Sequence, residues 1–299
     1  MPPHTDCSPS STHWTDHPTA AIGAVVLAQI SVNVGAAFSK TLFPLAGPNC
    51  VAAMRTAVAM VLLLCFWRPW RHFGADIRPV PLLLYGATLG LMNLLIYHAI
   101  ARIPLGIAVS IELCGPLAVA LMGMRRRIDI LVFALAVLGL WLLMPRQANT
   151  TAHLDPYGVL FAVGAAACWA LYIVAGKRVA RLPNGVAVSW GMVIACLFTV
   201  PAGLYTTSLS QLTPHVLALG LAVGILSSAI PYSLEMLALK RISAAAYGIF
   251  SSSAPAIAAL AAWLLLNEQL TLRQWLAIVC IIIACMINAL SHAPRRIIK

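Results

Sequence analysis

Ten apolar stretches, separated by short polar or basic connections, run the length of the chain: residues 20–40, 48–67, 79–100, 105–124, 128–145, 156–177, 184–205, 214–239, 244–266 and 272–290. At roughly 17–25 residues each, they are long enough to cross a hydrocarbon layer of about 30 Å as helices. The pattern predicts an all-α polytopic membrane protein of ten transmembrane helices. Around it lie a disordered cytoplasmic tail over 1–19 and a basic cytoplasmic tail over 291–299. The connection 146–156, rich in Asn, Thr and Asp, divides the array into two sets of five, 20–145 and 156–290.

The polar residues inside these stretches are not scattered. Spaced i, i+4, i+7 and i+11, they fall on one helix face. The first stretch presents Gln29, Asn33, Ala36 and Lys40, and the third presents Gly86, Gly90, Asn93 and Tyr97. The eighth presents Gly224, Ser228, Pro231 and Glu235, and the sixth Trp169, Tyr172 and Gly176. Small residues on such faces let helices approach closely. Gln29, Asn33, Asn93 and Tyr97 cost more to bury and either line a site or bond between helices.

Three charges stand inside apolar runs: Arg55, Glu112 and Glu235. A charge at the bilayer centre costs about 2.5–3.5 kcal/mol on insertion scales, so it faces a partner or a wet cavity. Each could serve as an ion pair for packing or as a binding or coupling group. Pro116 cannot donate to the carbonyl of Glu112, nor Pro255 to that of Ser251, nor Pro231 to that of Ser227. Those carbonyls need another partner in lipid, so the three prolines mark packing kinks or hinges.

The chain also repeats itself. Arg102-Ile103-Pro104 through Cys114-Gly115-Pro116 recurs 139 positions later as Arg241-Ile242-Ser243 through Ser253-Ala254-Pro255. The same offset carries Asp129 onto Glu268, and Lys40 matches Lys177 at an offset of 137. An odd number of spans per copy gives the copies opposite orientations. The expected architecture is therefore two inverted five-helix repeats, with a site between them.

Composition agrees with this picture: 61% hydrophobic, 9% charged, and a mean hydropathy of +0.91. The net charge of +11 would suit nucleic acid if it were clustered, but it follows the membrane instead. With the N-terminus inside, inner connections and the C-terminal tail hold 14 Lys and Arg, outer connections hold 4, and Arg55 lies within a span. The positive-inside rule then places both termini in the cytoplasm and removes any nucleic-acid role. The N-terminal 19 residues lack the basic n-region of a signal peptide. Six of the eight cysteines lie in apolar runs and no CxxC occurs, so no disulfide framework, metal site or cofactor is expected. Trp67 and Trp70 read as interface anchors.

Ser39-Lys40-Thr41-Leu42-Phe43-Pro44-Leu45, Met92-Asn93-Leu94 with Tyr97, Pro104 to Val109, Gly115 to Ala120, Ala136 to Trp141, Ala167-Cys168-Trp169-Ala170 and Ile230-Pro231-Tyr232-Ser233-Leu234-Glu235-Met236 together carry a resemblance. Over residues 20–290 the chain resembles the EamA-type branch of the drug/metabolite transporter superfamily, and within it the amino-acid exporters of bacterial inner membranes. The resemblance implies two EamA-type repeats, 20–145 and 156–290, and efflux of small neutral amino acids, threonine and homoserine foremost. It also implies a cavity lined by helices 1, 3, 4, 6, 8 and 9. The expected substrate contacts are Glu112, Asn93, Tyr97, Asn33, Gln29, Trp169, Tyr172, Tyr232 and Ser251. Glu112, Glu235, Arg55 and Lys40 are expected as coupling or charge-pair residues, and Pro116, Pro255 and Pro231 as hinges. Transport by alternating access, with protons as the exchanged partner and lipid as the surroundings, is the working expectation. The same fold exporting another metabolite or a drug is the alternative. An intramembrane enzyme is a remote one, because neither paired carboxylates nor HExxH occur.

Overall fold

The computed structural model describes residues 18–72, 79–122, 127–143, 154–179, 185–207, 212–231 and 250–291, together with Leu182, Leu234 and Tyr247. The described residues are all helix, turn or connection. Helix α1 spans Pro18–Trp67 but is two helices in sequence terms, because Gly47 interrupts it at φ 75°, ψ 159°. That backbone region is essentially open to glycine alone. The two arms, 18–46 and 48–67, correspond to the first two apolar stretches. The first arm runs past Lys40, its expected end, to the residue before Gly47, so no polar loop separates the arms.

After a short 3-10 turn at Pro69–His72 come α2 (Pro79–Arg102), α3 (Leu105–Leu121) and α4 (Arg127–Leu143). They are followed by α5 (Pro156–Val179) and α6 (Val186–Thr206). Helix α7 (Pro214–Gly224) is capped by Thr213, whose Oγ1 accepts from the Val216 N–H, and Pro214 suits its first turn. It passes directly into a π-helical turn, Ile225–Ala229. Helix α8 (Ala254–Leu266) ends at Asn267 in the left-handed conformation, and α9 (Leu272–Ser291) closes the chain. The helices of α1, α2, α5, α6 and α9 are each long and apolar enough to cross a membrane, while α3, α7 and α8 are shorter apolar helices.

Two expectations change here. Pro255 was expected inside a continuous ninth span, but the chain turns at Ser252–Ser253 and Pro255 sits in the first turn of α8. A proline forfeits nothing there, because first-turn N–H groups have no intrahelical acceptor. The eighth-span row was read at α-helical spacing, but the π turn shifts the register after Gly224. Tyr232 and Glu235 lie outside the described residues.

Helix α2 packs on α5 and α6, and α1 packs on α6, α7, the π turn and α8. Helix α3 lies against α5 and α8, and α4 against α9. Missing side chains set several of these spacings. A Cβ on Gly90 would stand 2.9 Å from the Ala195 backbone, and one on Gly115 would stand 2.1 Å from the Ala166 carbonyl oxygen. Gly220 and Gly224 of α7 meet Met54 and Val58 of α1, while Gly86 and Gly90 of α2 meet Gly191, Ile194 and Ala195 of α6.

Candidate functional site

Seven of the expected residues line one cavity of about 180 Å³: Gln29, Asn33, Arg55, Asn93, Tyr97, Glu112 and Trp169. They come from both arms of α1 and from α2, α3 and α5. Ala36 continues the α1 face, Ala254 enters from α8, and Val32, Met92, Ile96, Ile100, Val109 and Leu113 supply the apolar wall. In a straight helix Asn33 and Arg55 would stand about 33 Å apart. The break at Gly47 lets both arms face the same space.

Asn33, Asn93, Tyr97 and Arg55 are each held by their own helix or a neighbour. Asn33 Nδ2 donates to the Gln29 carbonyl at 2.8 Å, and Asn93 Nδ2 donates to the Leu89 carbonyl at 2.8 Å. Ser39 Oγ donates to the Gly35 carbonyl at 2.8 Å, so the 3.0 Å contact between Ser39 Oγ and the Tyr97 hydroxyl has Tyr97 as donor. This bond ties α1 to α2 and fixes Tyr97 as buried wall. The Arg55 guanidinium lies 5.6 Å from the Tyr97 ring centroid, within cation–π range. Arg55 also donates from Nη2 to the Ser227 carbonyl at 3.3 Å.

The Ser227 carbonyl is the one that Pro231 was expected to strand. Within the π turn the Ile230 N–H reaches back to Ile225. The carbonyl of Leu226 accepts from Ser31 Oγ at 2.7 Å, and that of Ser227 takes Arg55. Two carbonyls inside the π turn thus accept from side chains of α1. Ser227 Oγ is buried without a hydrogen-bond partner.

Glu112 is partly exposed and lines the cavity, and among the described residues no group hydrogen-bonds its carboxylate. The Arg55 guanidinium acts on it electrostatically. A carboxylate and a guanidinium thus share a compartment below the roughly 300–1,000 Å³ of drug-sized pockets. It offers a cation holder, an anion holder and amide dipoles to something small.

Three expected residues lie elsewhere. The Tyr172 hydroxyl is 2.7 Å from that of Tyr85, with the rings stacked at 4.5 Å, on the side of α5 facing α2 and α6. It shares a helix face with Trp169 but is stacked on Tyr85 and does not line the cavity. Ser251 Oγ is buried without a partner and does not line the cavity. Lys40 forms an ion pair with Glu268 at 2.6 Å and also donates to the Ile103 carbonyl at 3.1 Å. The other Glu268 oxygen accepts the Leu105 N–H at 3.0 Å, capping α3. Glu268 was legible as a charge heading an apolar run, but its partner was not. Of the hinge residues, Pro116 sits inside the unbroken α3, and Pro231 follows the π turn.

Residues 156–290 match the EamA-like transporter family. The chain is 44% identical over 275 residues to the threonine/homoserine exporter RhtA of Escherichia coli (strain K12), covering 92% of this chain and 93% of that protein. It is 43% identical over 267 residues to the threonine/homoserine exporter RhtA of Salmonella typhimurium (strain SL1344), covering 89% and 90%. An uncharacterized transporter of Bacillus subtilis (strain 168), YwfM, is 30% identical over 168 residues, 54% of either chain. A solved crystal structure at 19% identity superimposes with a TM-score of 0.62 over 91% of this chain and 97% of that one, so the fold is shared.

Proposed function

We propose that this chain, which belongs to the EamA-like transporter family, exports small neutral amino acids across the bacterial inner membrane, threonine and homoserine first among them. It is a transporter and not an enzyme. The observation that carries the substrate reading is the cavity, where Glu112 and Arg55 face one small space. A zwitterion brings an ammonium for the first and a carboxylate for the second. Charge-assisted bonds of this kind are roughly twice as strong as neutral ones. Close similarity to two threonine/homoserine exporters favours these amino acids over a larger drug.

Ten spans in two inverted repeats, with both termini cytoplasmic, is the arrangement we propose. The glycine contacts support it. Gly220 on Met54 and Gly224 on Val58 join the eighth apolar stretch to the second, while Gly86 on Gly191 and Gly90 on Ala195 join the third to the seventh. Exchanging the two copies turns one set of contacts into the other.

Transport then proceeds by alternating access, one copy rocking against the other. The Lys40–Glu268 pair joins the end of the first copy's opening helix to the second copy. Its sequence counterparts are Lys177 and Asp129. Lys177 is exposed and forms no ion pair among the described residues. This asymmetry supports a state closed at the Lys40 end, the outer side by the count of basic residues. Proton antiport is part of the proposal: Glu112 gives up a proton as it takes the substrate ammonium, then regains one after release. Glu235 is a second candidate for that exchange.

Efflux of labelled threonine and homoserine from loaded cells, with and without the protein, tests the reading. Faster efflux of both is expected, and no difference for any neutral amino acid would overturn it. Proteoliposomes carrying Glu112→Gln should no longer concentrate substrate under an imposed pH gradient. Concentration at the normal rate would remove Glu112 from the proton step.

A further inference from the structure

We infer that Asn33 and Asn93 are the specificity pair of this cavity, reading the substrate's side-chain hydroxyl and selecting hydroxylated amino acids over apolar isosteres. The inference rests on the amino-acid export reading above and adds to it which groups discriminate among amino acids.

Among the described residues, only one end of each amide is in use by the protein. Both residues line the cavity, one on α1 and one on α2. In each, Nδ2 donates to the carbonyl four residues earlier on its own helix, at 2.8 Å. A carbonyl can only accept, so it fixes the nitrogen end toward the helix and the oxygen end away from it. The intrahelical bond also locks the side chain, so little rotamer freedom remains to be lost on binding. Among the described residues neither Oδ1 has a hydrogen-bond partner, and neither is among the sealed, unpartnered buried atoms, which include the hydroxyl oxygens of Ser227 and Ser251. Both residues are nonetheless almost wholly buried, 4% exposed for Asn33 and 6% for Asn93. Two preset acceptors with no protein donor therefore remain accessible within a small, mostly apolar cavity.

Such acceptors require a donor from the cargo. Threonine and homoserine each have two kinds, the α-ammonium and a side-chain hydroxyl. Glu112 is the charged partner for the ammonium, and its carboxylate is unengaged among the described residues. The amide oxygens are then matched to the hydroxyl, whose single proton one of them takes or the two share. The Tyr97 hydroxyl is already donating to Ser39 Oγ. Gln29 also lines the cavity, but no intrahelical bond presets its amide among the described residues, which leaves the asparagines as the preset hydroxyl readers. An apolar side chain of the same shape would leave both oxygens desolvated and unpaired. That mismatch is what makes hydrogen-bonding sites reject isosteres lacking the group.

The test is competitive efflux of threonine and valine, which differ by a hydroxyl in place of a methyl, measured together in the same loaded cells. The wild-type protein should favour threonine by about tenfold or more. Asn33→Leu and Asn93→Leu should each cut that ratio severalfold. Because both amino acids are measured in the same cells, the ratio does not depend on how much of the variant reaches the membrane, and two independent variants guard against one failing to insert. An unchanged ratio would overturn the inference. So would equal losses for threonine and valine, which would make the asparagines partners of the shared ammonium. Failure of the wild-type protein to export either amino acid would instead count against the export reading itself.

Discussion

The stretches that end in Pro116 and Pro255 are alike in sequence, yet the fold treats them differently. Helix α3 is unbroken from Leu105 to Leu121, with Pro116 inside it and Glu112 one turn earlier facing the cavity. In the other copy, Ser251 stands where Glu112 would be, the chain turns at Ser252–Ser253, and Pro255 opens α8. Gly115 lets α3 touch the backbone of α5, whereas its counterpart Ala254 borders the cavity. The two stretches divide the labour, one presenting charge and the other a break in the helix. On the two-repeat arrangement proposed above, each copy is free to lose what the other retains.

The sharpest way to break this comparison is to make α3 carry its counterpart's residue. Glu112→Ser should slow threonine efflux by about 10- to 100-fold, the worth of a hydrogen bond to a charged group. Adding Ser251→Glu should not restore it, because Ser251 lies off the cavity; recovery in the double variant would show the copies to be interchangeable. Gly115→Ala, which again copies the other half, places a methyl against the Ala166 carbonyl. It should cost about 1–3 kcal/mol of stability, read as a lowered melting temperature in detergent. Glu268→Gln leaves Lys40 largely buried beside a neutral group. It should cost about 1–2 kcal/mol and raise labelling of Ala36→Cys by an impermeant thiol reagent from outside, while Lys40→Glu with Glu268→Lys recovers part of both. The smallest effect belongs to Pro255→Ala, within about 0.5 kcal/mol, since a first-turn proline withholds no needed donor. Pro116→Ala should instead raise the melting temperature, by returning a donor to the Glu112 carbonyl.

The polar part of the cavity was legible in the sequence because polar groups inside apolar runs are costly and therefore conspicuous. Gln29, Asn33, Arg55, Asn93, Glu112 and Trp169 were all visible on that ground, and they converge. Apolar walls such as Ile96, Ile100 and Leu113 were not visible, since a residue facing a cavity, a neighbouring helix or lipid has the same composition. Helix extents follow the apolar runs closely, as in Pro79–Arg102 and Pro156–Val179. They depart where backbone geometry intervenes: at Gly47, at the π turn and at Ser252–Ser253. Tyr172 and Lys40 illustrate a further limit. Helical spacing says which side chains share a face, but not that Tyr85 or Glu268 waits opposite them.

Gly47 bears on how the protein is made as well as on how it works. With one residue joining two apolar arms, no polar connection exists for the insertion machinery to carry across between them. The arms would enter the bilayer together, as a preformed hairpin whose orientation is decided in a single event. A side chain at position 47 would then act twice, lowering the amount of protein in the membrane and disturbing the cavity that the two arms share.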